Sequence, residues 1–128
     1  MKQKKDFKIL YVENDRTSVL VMERLMEKQG YYFNSAESAE KGIESLKKDK
    51  FDVILLDINL GSGMSGEEFL KFIRTIEGYE KTPIFALTTR AFESEDHRLL
   101  DLGFNGYFAK PYDPDNLIKT IEFFRIPN

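Results

Sequence analysis

Short apolar runs alternate along the chain with segments in which apolar residues recur at helical spacing. The clearest run extends from Val53 to Leu56 and is followed directly by Asp57. A short unbroken run of branched side chains is typical of a strand that is buried on both faces of a parallel sheet. Similar runs elsewhere indicate five strands, which the pattern predicts over residues 7–12, 31–35, 53–57, 83–88 and 106–110.

A helical pattern fills each interval between strands, and one more follows the last strand. The predicted helices cover about 17–29, 39–48, a segment opening at Ser65, 93–102 and a segment opening at Asp113. Ser65 and Glu68 form a capping box, and Asp113 before Pro114 is typical of an N-cap followed by proline at the first helical position. The apolar residues of the last helix that are predicted to be buried are Leu117, Ile118, Ile121 and Phe124.

Five strand–helix units in succession predict an α/β fold. Strands that alternate with helices form a parallel sheet with helices on both faces, and right-handed crossovers leave few topologies. At 128 residues the chain has the size of one domain. We therefore expect a single domain over 1–128, with a doubly wound parallel sheet and no output domain.

The composition narrows the classes of function. The chain has no cysteine, which excludes a disulfide framework, a thiolate zinc site and a thiol nucleophile, and which suits a cytoplasmic protein. No apolar run approaches the roughly 18 residues of a membrane span, so we expect no membrane contact. The net charge is −3 and the basic residues are scattered, so direct binding to nucleic acid is not expected.

Polar residues follow four of the five predicted strands. They are Glu13 and Asn14, Asp57, Thr88 and Thr89, and Lys110. Because the carboxyl ends of parallel strands meet at one edge of the sheet, we expect these side chains to lie close together. Mg²⁺ needs one or two carboxylates and keeps several waters, and Lys110 can pair with Asp57 or with phosphate oxygens. Each residue also has a plain structural explanation when taken alone, as a turn residue, a strand end or a solvated charge.

Four segments of the sequence resemble a known family. They are ILYVEND (9–15), VILLDINL (53–60), PIFALTTRA (83–91) and GYFAKPYDP (106–114). Together they make the chain similar, over nearly its full length, to the response-regulator receiver domains of the CheY-like family, which act in two-component signal transduction. The resemblance implies the flavodoxin-like (βα)5 fold with strand order 2-1-3-4-5. It also implies a phosphorelay switch domain and not an enzyme, apart from self-catalysed phosphorylation and dephosphorylation.

The resemblance assigns roles to individual residues. Asp57 is implied as the phosphoacceptor, which attacks the phosphorus of a phosphohistidine on a histidine kinase or a histidine phosphotransfer protein. Thr88 and Lys110 are implied as the catalytic residues that assist Asp57 in the phosphoryl transfer. Thr88 and Tyr107 are implied as the switch pair. The peptide bond between Lys110 and Pro111 is implied to be cis. The residues implied to hold Mg²⁺ are Glu13, Asn14, Asp57 and Asn59, the last through its backbone carbonyl. The positions expected to tune hydrolysis of the acyl phosphate are Asn59, Thr89 and Arg90.

Phosphorylation is implied to change a partner-binding face formed by the fourth helix, the fifth strand and the fifth helix, the α4-β5-α5 face. The domain is then expected to act on a downstream protein as a monomer or as a phosphorylation-dependent dimer. The aromatic residues Phe92, Phe104 and Tyr107 belong either to the core or to this face. His97, the one histidine, is predicted to be a surface residue and not a phosphoryl relay.

The sequence departs from the family at the acidic pair after the first strand. The usual pair is Asp-Asp or Glu-Asp, whereas this chain has Glu13-Asn14 with Asp15 one position later. The amide of Asn14 carries no formal charge, so we expect Mg²⁺ binding to be weaker by about one or two orders of magnitude at most. Asp15 either replaces the missing charge or caps the first helix, and the cap is favoured.

Two other functions stay open from the sequence. One is a phosphorylation-deficient, receiver-like scaffold, which Asn14 favours. The other is a phosphatase of the haloacid-dehalogenase kind, which also uses an aspartate nucleophile and Mg²⁺. In that family an Asp-x-Asp segment follows the first strand, whereas here Asp57-x-Asn59 follows the third. The phosphatase is therefore the less favoured alternative.

Overall fold

The strands and helices occur in the predicted order. The computed structural model describes residues 2–58, 63–89 and 93–126, with the backbone alone for 93–96. The strands are β1 (Lys8–Val12), β2 (Tyr32–Ala36), β3 (Val53–Asp57), β4 (Ile84–Thr88) and β5 (Gly106–Ala109). The helices are α1 (Arg16–Gln29), α2 (Ala39–Lys48), α3 (Gly66–Thr75), α4 (Glu93–Leu102) and α5 (Pro114–Arg125). Within the described ranges, no helix combines the length and the apolarity that crossing a bilayer requires.

The five strands form one parallel sheet in the order β2-β1-β3-β4-β5. This arrangement confirms both the predicted α/β fold and the strand order that the resemblance implies. In the register of the sheet, Val12 lies beside Leu56 and Thr88 lies beside Ala109. Because all strands run in the same direction, the residues that follow them emerge at one edge of the sheet, which we call the carboxyl edge.

Two apolar layers cover the sheet, and alternate strand residues enter each of them. In β3, Val53 and Leu55 pack in the layer that contains α1 and α5. Ile54 and Leu56 pack in the layer that contains α2, α3 and α4. All four side chains are fully buried, so the unbroken apolar run is explained by burial on both faces, as predicted. Asp57 continues this rigid central strand to the carboxyl edge.

The helix ends follow the predicted capping patterns. The Ser65 hydroxyl accepts a hydrogen bond from the Glu68 backbone N–H, and the Glu68 carboxylate accepts one from the Ser65 backbone N–H. Asp113 caps α5 ahead of Pro114. Helix α1 ends at Gly30, whose φ of 85° is a conformation that glycine adopts without strain. These caps fix where α3 and α5 begin relative to the strands before them.

Two aromatic residues refine the prediction of the core. Phe124 is 37% exposed, so its predicted burial is wrong. The buried face of α5 consists of Leu117 and Ile121, and Phe124 lies at the border of that face, where its ring is 5.4 Å from the ring of Phe85. Phe104 is buried among core residues, which decides between its two predicted locations in favour of the core.

Candidate functional site

Four strands bring polar side chains to the carboxyl edge. Glu13 directly follows β1, and its backbone N–H donates to the carbonyl of Ala36 at 2.9 Å. Asp57 and Thr88 are the last residues of β3 and β4. Lys110 directly follows β5, and its backbone N–H donates to the Thr88 carbonyl at 2.8 Å. These four strand ends therefore lie at one edge of the sheet, as predicted.

A single ammonium group joins two buried carboxylates at this edge. Lys110 Nζ contacts Glu13 Oε1 directly and lies 3.4 Å from Asp57 Oδ1. Glu13 is 2% exposed and Asp57 is 5% exposed. Buried carboxylates are costly without a compensating charge, and Lys110 supplies that charge to both. Asp57 is thus held next to the positively charged ammonium of Lys110, in a site that is largely shielded from water.

The neighbouring charges shift the pKa values of these groups. Burial alone raises the pKa of Glu13, but the hydrogen bonds of its carboxylate, among them the one from Lys110, outweigh burial and leave the pKa below its ordinary value. Burial alone lowers the pKa of Lys110, but the hydrogen bond to Glu13 and the charges of Asp57 and Glu13 outweigh it and leave the pKa raised. Both shifts favour the charged pair, so Glu13 and Lys110 are ionised near neutral pH.

Tyr11 is a contact of the site that the sequence pattern did not single out. Its hydroxyl donates to Glu13 Oε1 at 3.1 Å, and the Asp15 backbone N–H donates to Glu13 Oε2 at 3.3 Å. Burial and the negative charge of Glu13 raise the pKa of Tyr11, so its hydroxyl stays protonated and remains a donor. Within an apolar run the tyrosine is expected in the core, but side chains two residues apart share one face of a strand, which is the signal that pairs Tyr11 with Glu13.

The two residues after Glu13 have different environments. Asn14 is exposed beside the carboxyl edge. The Asp15 carboxylate accepts hydrogen bonds from the backbone N–H of Ser18 at 3.0 Å and from the Ser18 hydroxyl at 2.6 Å, which makes it the N-cap of α1. These hydrogen bonds lower the pKa of Asp15. The favoured role of Asp15 as a helix cap is confirmed, and its carboxylate is engaged away from Glu13.

The donor atoms at the carboxyl edge fit a hard divalent cation such as Mg²⁺. Glu13 and Asp57 offer carboxylate oxygens to one small volume, and Mg²⁺ is commonly held by one or two carboxylates together with waters. Among the described residues, no group of three or more His, Cys, Asp or Glu side chains is placed to hold a metal ion. The two carboxylates, Glu13 and Asp57, are the protein ligands on which the fit to a partly hydrated Mg²⁺ rests.

The remaining predicted residues lie in several environments. Thr88 is 2% exposed at the end of β4, and Thr89 beyond it is exposed. Tyr107 is half-buried on β5 and packs against the core.

The bond between Lys110 and Pro111 is cis, as the resemblance implies. His97 is exposed on α4, as predicted. The predicted residues that fall outside the described ranges are Asn59, Arg90 and Phe92.

Gly66 lets the start of α3 approach the end of β3 closely. A Cβ atom at Gly66 would lie 3.2 Å from the carbonyl oxygen of Asp57 and 3.2 Å from Cα of Ile58. These contacts are with backbone, which cannot move aside as a side-chain end can. Gly66→Ala is therefore expected to lower the free energy of unfolding by about 1 kcal/mol, since crowding outweighs the gain in helix propensity.

Chemical denaturation measures this effect, and Lys71→Ala on the exposed face of α3 is the control. The control is expected to change the free energy of unfolding by less than about 0.5 kcal/mol. A Gly66→Ala protein as stable as the unchanged chain would show that the approach of α3 to Asp57 is not tight.

Comparison with known proteins places the chain among signalling proteins. The model of the response regulator receiver domain matches residues 9–122. Transcriptional regulatory protein YvrH of Bacillus subtilis is 37% identical over 114 residues, which cover 88% of this chain and 46% of YvrH. The chain spans about half the length of the curated relatives that it matches.

Solved structures share the fold over almost their whole length. Chemotaxis response regulator CheY4 of Vibrio cholerae has a TM-score of 0.84 and 29% identity, covering 92% of this chain and 98% of that chain. The receiver domain of sensor histidine kinase PA1611 from Pseudomonas aeruginosa, solved with a magnesium ion coordinated in its active site cleft, has a TM-score of 0.82 and 27% identity, covering 92% and 96%. The family model, the relatives and the shared fold agree, and the chain belongs to the response regulator receiver domain family.

Proposed function

We propose that this domain accepts a phosphoryl group on Asp57 from a phosphohistidine on a histidine kinase or a histidine phosphotransfer protein. The observation that carries the proposal is the position of Lys110, which lies between the buried carboxylates of Glu13 and Asp57 at the carboxyl edge. Receiver domains are signalling switch domains of two-component systems and not conventional enzymes, and they interact with histidine kinases and downstream effectors. The phosphoryl chemistry at this particular site is the part that we infer.

The transfer itself is a displacement at phosphorus. An oxygen of the Asp57 carboxylate attacks the phosphorus, a new O–P bond forms, and the N–P bond of the donor breaks with its electron pair returning to the imidazole. The Lys110 ammonium, 3.4 Å from Asp57 Oδ1, can pair with the oxygens of the incoming phosphoryl group. The Thr88 hydroxyl, at the end of the neighbouring strand, supplies a donor to the same group once it is attached.

Glu13 and Asp57 are the carboxylates that would hold Mg²⁺, with an amide oxygen from Asn14 and, by resemblance, the backbone carbonyl of Asn59. The chemistry that the ion supplies when bound is neutralisation of the negative charge that gathers between carboxylate and phosphoryl oxygens. The magnesium ion in the receiver domain of PA1611 supports this assignment by analogy. Glu13 remains ionised beside Lys110 and keeps its charge available to a cation.

Phosphorylation is inferred to change the face formed by α4, β5 and α5. It turns the singly charged Asp57 carboxylate into an acyl phosphate of about −1.5 to −2 charges beside Lys110 and Thr88. Thr88 connects to β5 through the hydrogen bond between its carbonyl and the Lys110 N–H. A cavity of about 590 Å³ on this face includes Leu100, Tyr107 and Phe124 in its lining. We infer a downstream protein partner for this face, in the cytoplasm, with the domain acting as a monomer or as a phosphorylation-dependent dimer.

A receiver-like scaffold that takes no phosphoryl group is the second candidate. Asn14 favours it, because the second position of the acidic pair has no charge and Asp15 is engaged as the cap of α1. The phosphatase alternative has no support from membership of the receiver family. These candidates differ in whether Asp57 becomes phosphorylated and whether it turns over substrate.

The experiment is to incubate the protein with Mg²⁺ and a small-molecule acyl phosphate and to measure its intact mass. We expect one acid-stable, base-labile adduct of about 80 Da, which does not form when a chelator removes the metal. Absence of the adduct at saturating Mg²⁺ would favour the scaffold and overturn the proposal. Sustained release of phosphate from many phosphomonoesters would instead favour the phosphatase.

A further inference from the structure

Tyr11 places a polar group inside the core directly below the candidate site. Its side chain is 1% exposed, and its hydroxyl lies 3.1 Å from Glu13 Oε1. A buried hydroxyl without a partner is costly, and a hydrogen bond to a charged acceptor is stronger than one between neutral groups. The pairing therefore satisfies Tyr11 and also restrains the glutamate.

Glu13 needs such restraint because its side chain has one more rotatable bond than aspartate. Donors from three parts of the chain hold its carboxylate: the Tyr11 hydroxyl and Lys110 at Oε1, and the Asp15 backbone N–H at Oε2. They come from β1, from the segment after β5 and from the start of α1. The carboxylate is therefore fixed from three directions, and its side chain is 1% exposed.

These donors behave differently when the site is used as proposed. Lys110 pairs with the phosphoryl oxygens and so divides its hydrogen bonds between them and Glu13. Tyr11 lies in the interior of β1 and cannot follow the phosphoryl group, so its hydrogen bond to Oε1 persists. Because Asn14 contributes no charge, the position of the Glu13 carboxylate matters more for attracting a cation than in a site with two adjacent acids.

We propose that Tyr11 is a positioning residue that holds the Glu13 carboxylate in the orientation required for Mg²⁺ binding at Asp57. The inference rests on the proposed function, because it concerns the metal that this function uses. Partners that orient ligating groups typically contribute about 10- to 100-fold to metal affinity. Since Glu13 keeps its other donors, we expect an effect at the lower end of that range.

The test compares Tyr11→Phe with Tyr112→Phe. Tyr112 is the matched control because it lines the same cavity as Tyr11, while its hydroxyl contacts Met22 Sδ at 3.7 Å and not Glu13. Isothermal titration with Mg²⁺ is expected to show about 10-fold weaker binding for Tyr11→Phe and a change below about twofold for Tyr112→Phe. Unchanged Mg²⁺ binding in Tyr11→Phe, with or without a loss of thermal stability, would overturn the inference.

Two further measurements separate positioning from a general structural role. In a Glu13→Ala background, Tyr11→Phe is expected to have no additional effect on Mg²⁺ binding, because a residue that acts through Glu13 has nothing left to position. In the metal-free protein, the ¹³C shift of the Glu13 carboxyl group is expected to change in Tyr11→Phe and to stay constant in Tyr112→Phe. Equal effects of Tyr11→Phe with and without Glu13 would contradict the inference.

The same experiments distinguish failure of this inference from failure of the proposed function. If the unchanged protein binds Mg²⁺ and becomes phosphorylated while Tyr11→Phe behaves identically, only the role of Tyr11 is overturned. If the unchanged protein binds no Mg²⁺ at all, both proposals are overturned.

Discussion

Asp57→Asn is expected to abolish the phosphoryl adduct completely. An amide group has nearly the size of a carboxylate but is a very poor nucleophile at phosphorus, so the attacking oxygen is lost while the shape of the site is kept. The fold is expected to survive, because Glu13 and Lys110 then form a pair of one negative and one positive charge. Removing the second buried carboxylate is expected to leave the free energy of unfolding unchanged or to raise it by about 1 kcal/mol.

Intact-mass measurement after treatment with the acyl phosphate checks this result, and Asp113→Asn is the control. Asp113 caps α5, and asparagine caps a helix about as well as aspartate, so the control is expected to keep both its fold and its adduct. An adduct of equal yield on the Asp57→Asn protein would show that a residue other than Asp57 is the phosphoacceptor.

Asn14→Asp is expected to tighten Mg²⁺ binding by about 10- to 100-fold, the second largest effect. A unit charge at about 4 Å from another is worth roughly 4 kcal/mol at an effective dielectric of about 20. Asn14 is exposed, so solvent screening reduces this gain to about 1 to 3 kcal/mol. The substitution restores the acidic pair that the family usually has after its first strand.

The same substitution is expected to act in the opposite direction when no metal is present. A third carboxylate next to Glu13 and Asp57 adds repulsion that Lys110 alone does not balance, which we expect to lower the free energy of unfolding by about 1 kcal/mol. Adding saturating Mg²⁺ should reverse the sign of this difference. Denaturation with and without Mg²⁺, together with Mg²⁺ titration, measures both effects.

Asn34→Asp is the control for net charge, because Asn34 is an exposed residue of β2 outside the set that converges on Lys110. It is expected to change Mg²⁺ affinity by less than about threefold, since Asn34 lies two residues before the end of β2 and the charge of an exposed side chain is screened by salt. Equal affinities for Asn14→Asp and the unchanged protein would show that position 14 is not next to the ion.

The fold could be predicted from the sequence to a large extent, because it depends on patterns that are local. The run from Val53 to Leu56 predicts a strand covered on both faces, and the capping residues Ser65 and Asp113 predict where two helices begin. Periodicity alone does not give the order of strands, since that order depends on which crossovers the chain takes. The resemblance to receiver domains supplied it, and the sheet has the same order.

The contacts within the site were less predictable. The placement of Glu13, Asp57 and Lys110 at one edge follows from strand direction, but the preference of Lys110 for Glu13 over Asp57 depends on side-chain lengths and strand stagger. Those quantities do not appear in a pattern of apolar and polar residues. The role of Tyr11 could not be predicted for a related reason. An aromatic residue in an apolar run is ordinarily a core residue, and the contact of its hydroxyl with Glu13 is visible only in the three-dimensional structure.

Because Lys110 is shared by Glu13 and Asp57, its charge limits how strongly phosphorylation alters the electric field outside the site. With both carboxylates ionised, Glu13, Asp57 and Lys110 together carry one net negative charge before modification. A divalent cation and an acyl-phosphate dianion would together bring the pocket close to neutrality, so its net charge changes by about one unit on activation, and salt screens the resulting field beyond about 10 Å. Distant surfaces must therefore sense the modification through short-range mechanical contacts, and the response of a partner should depend only weakly on ionic strength.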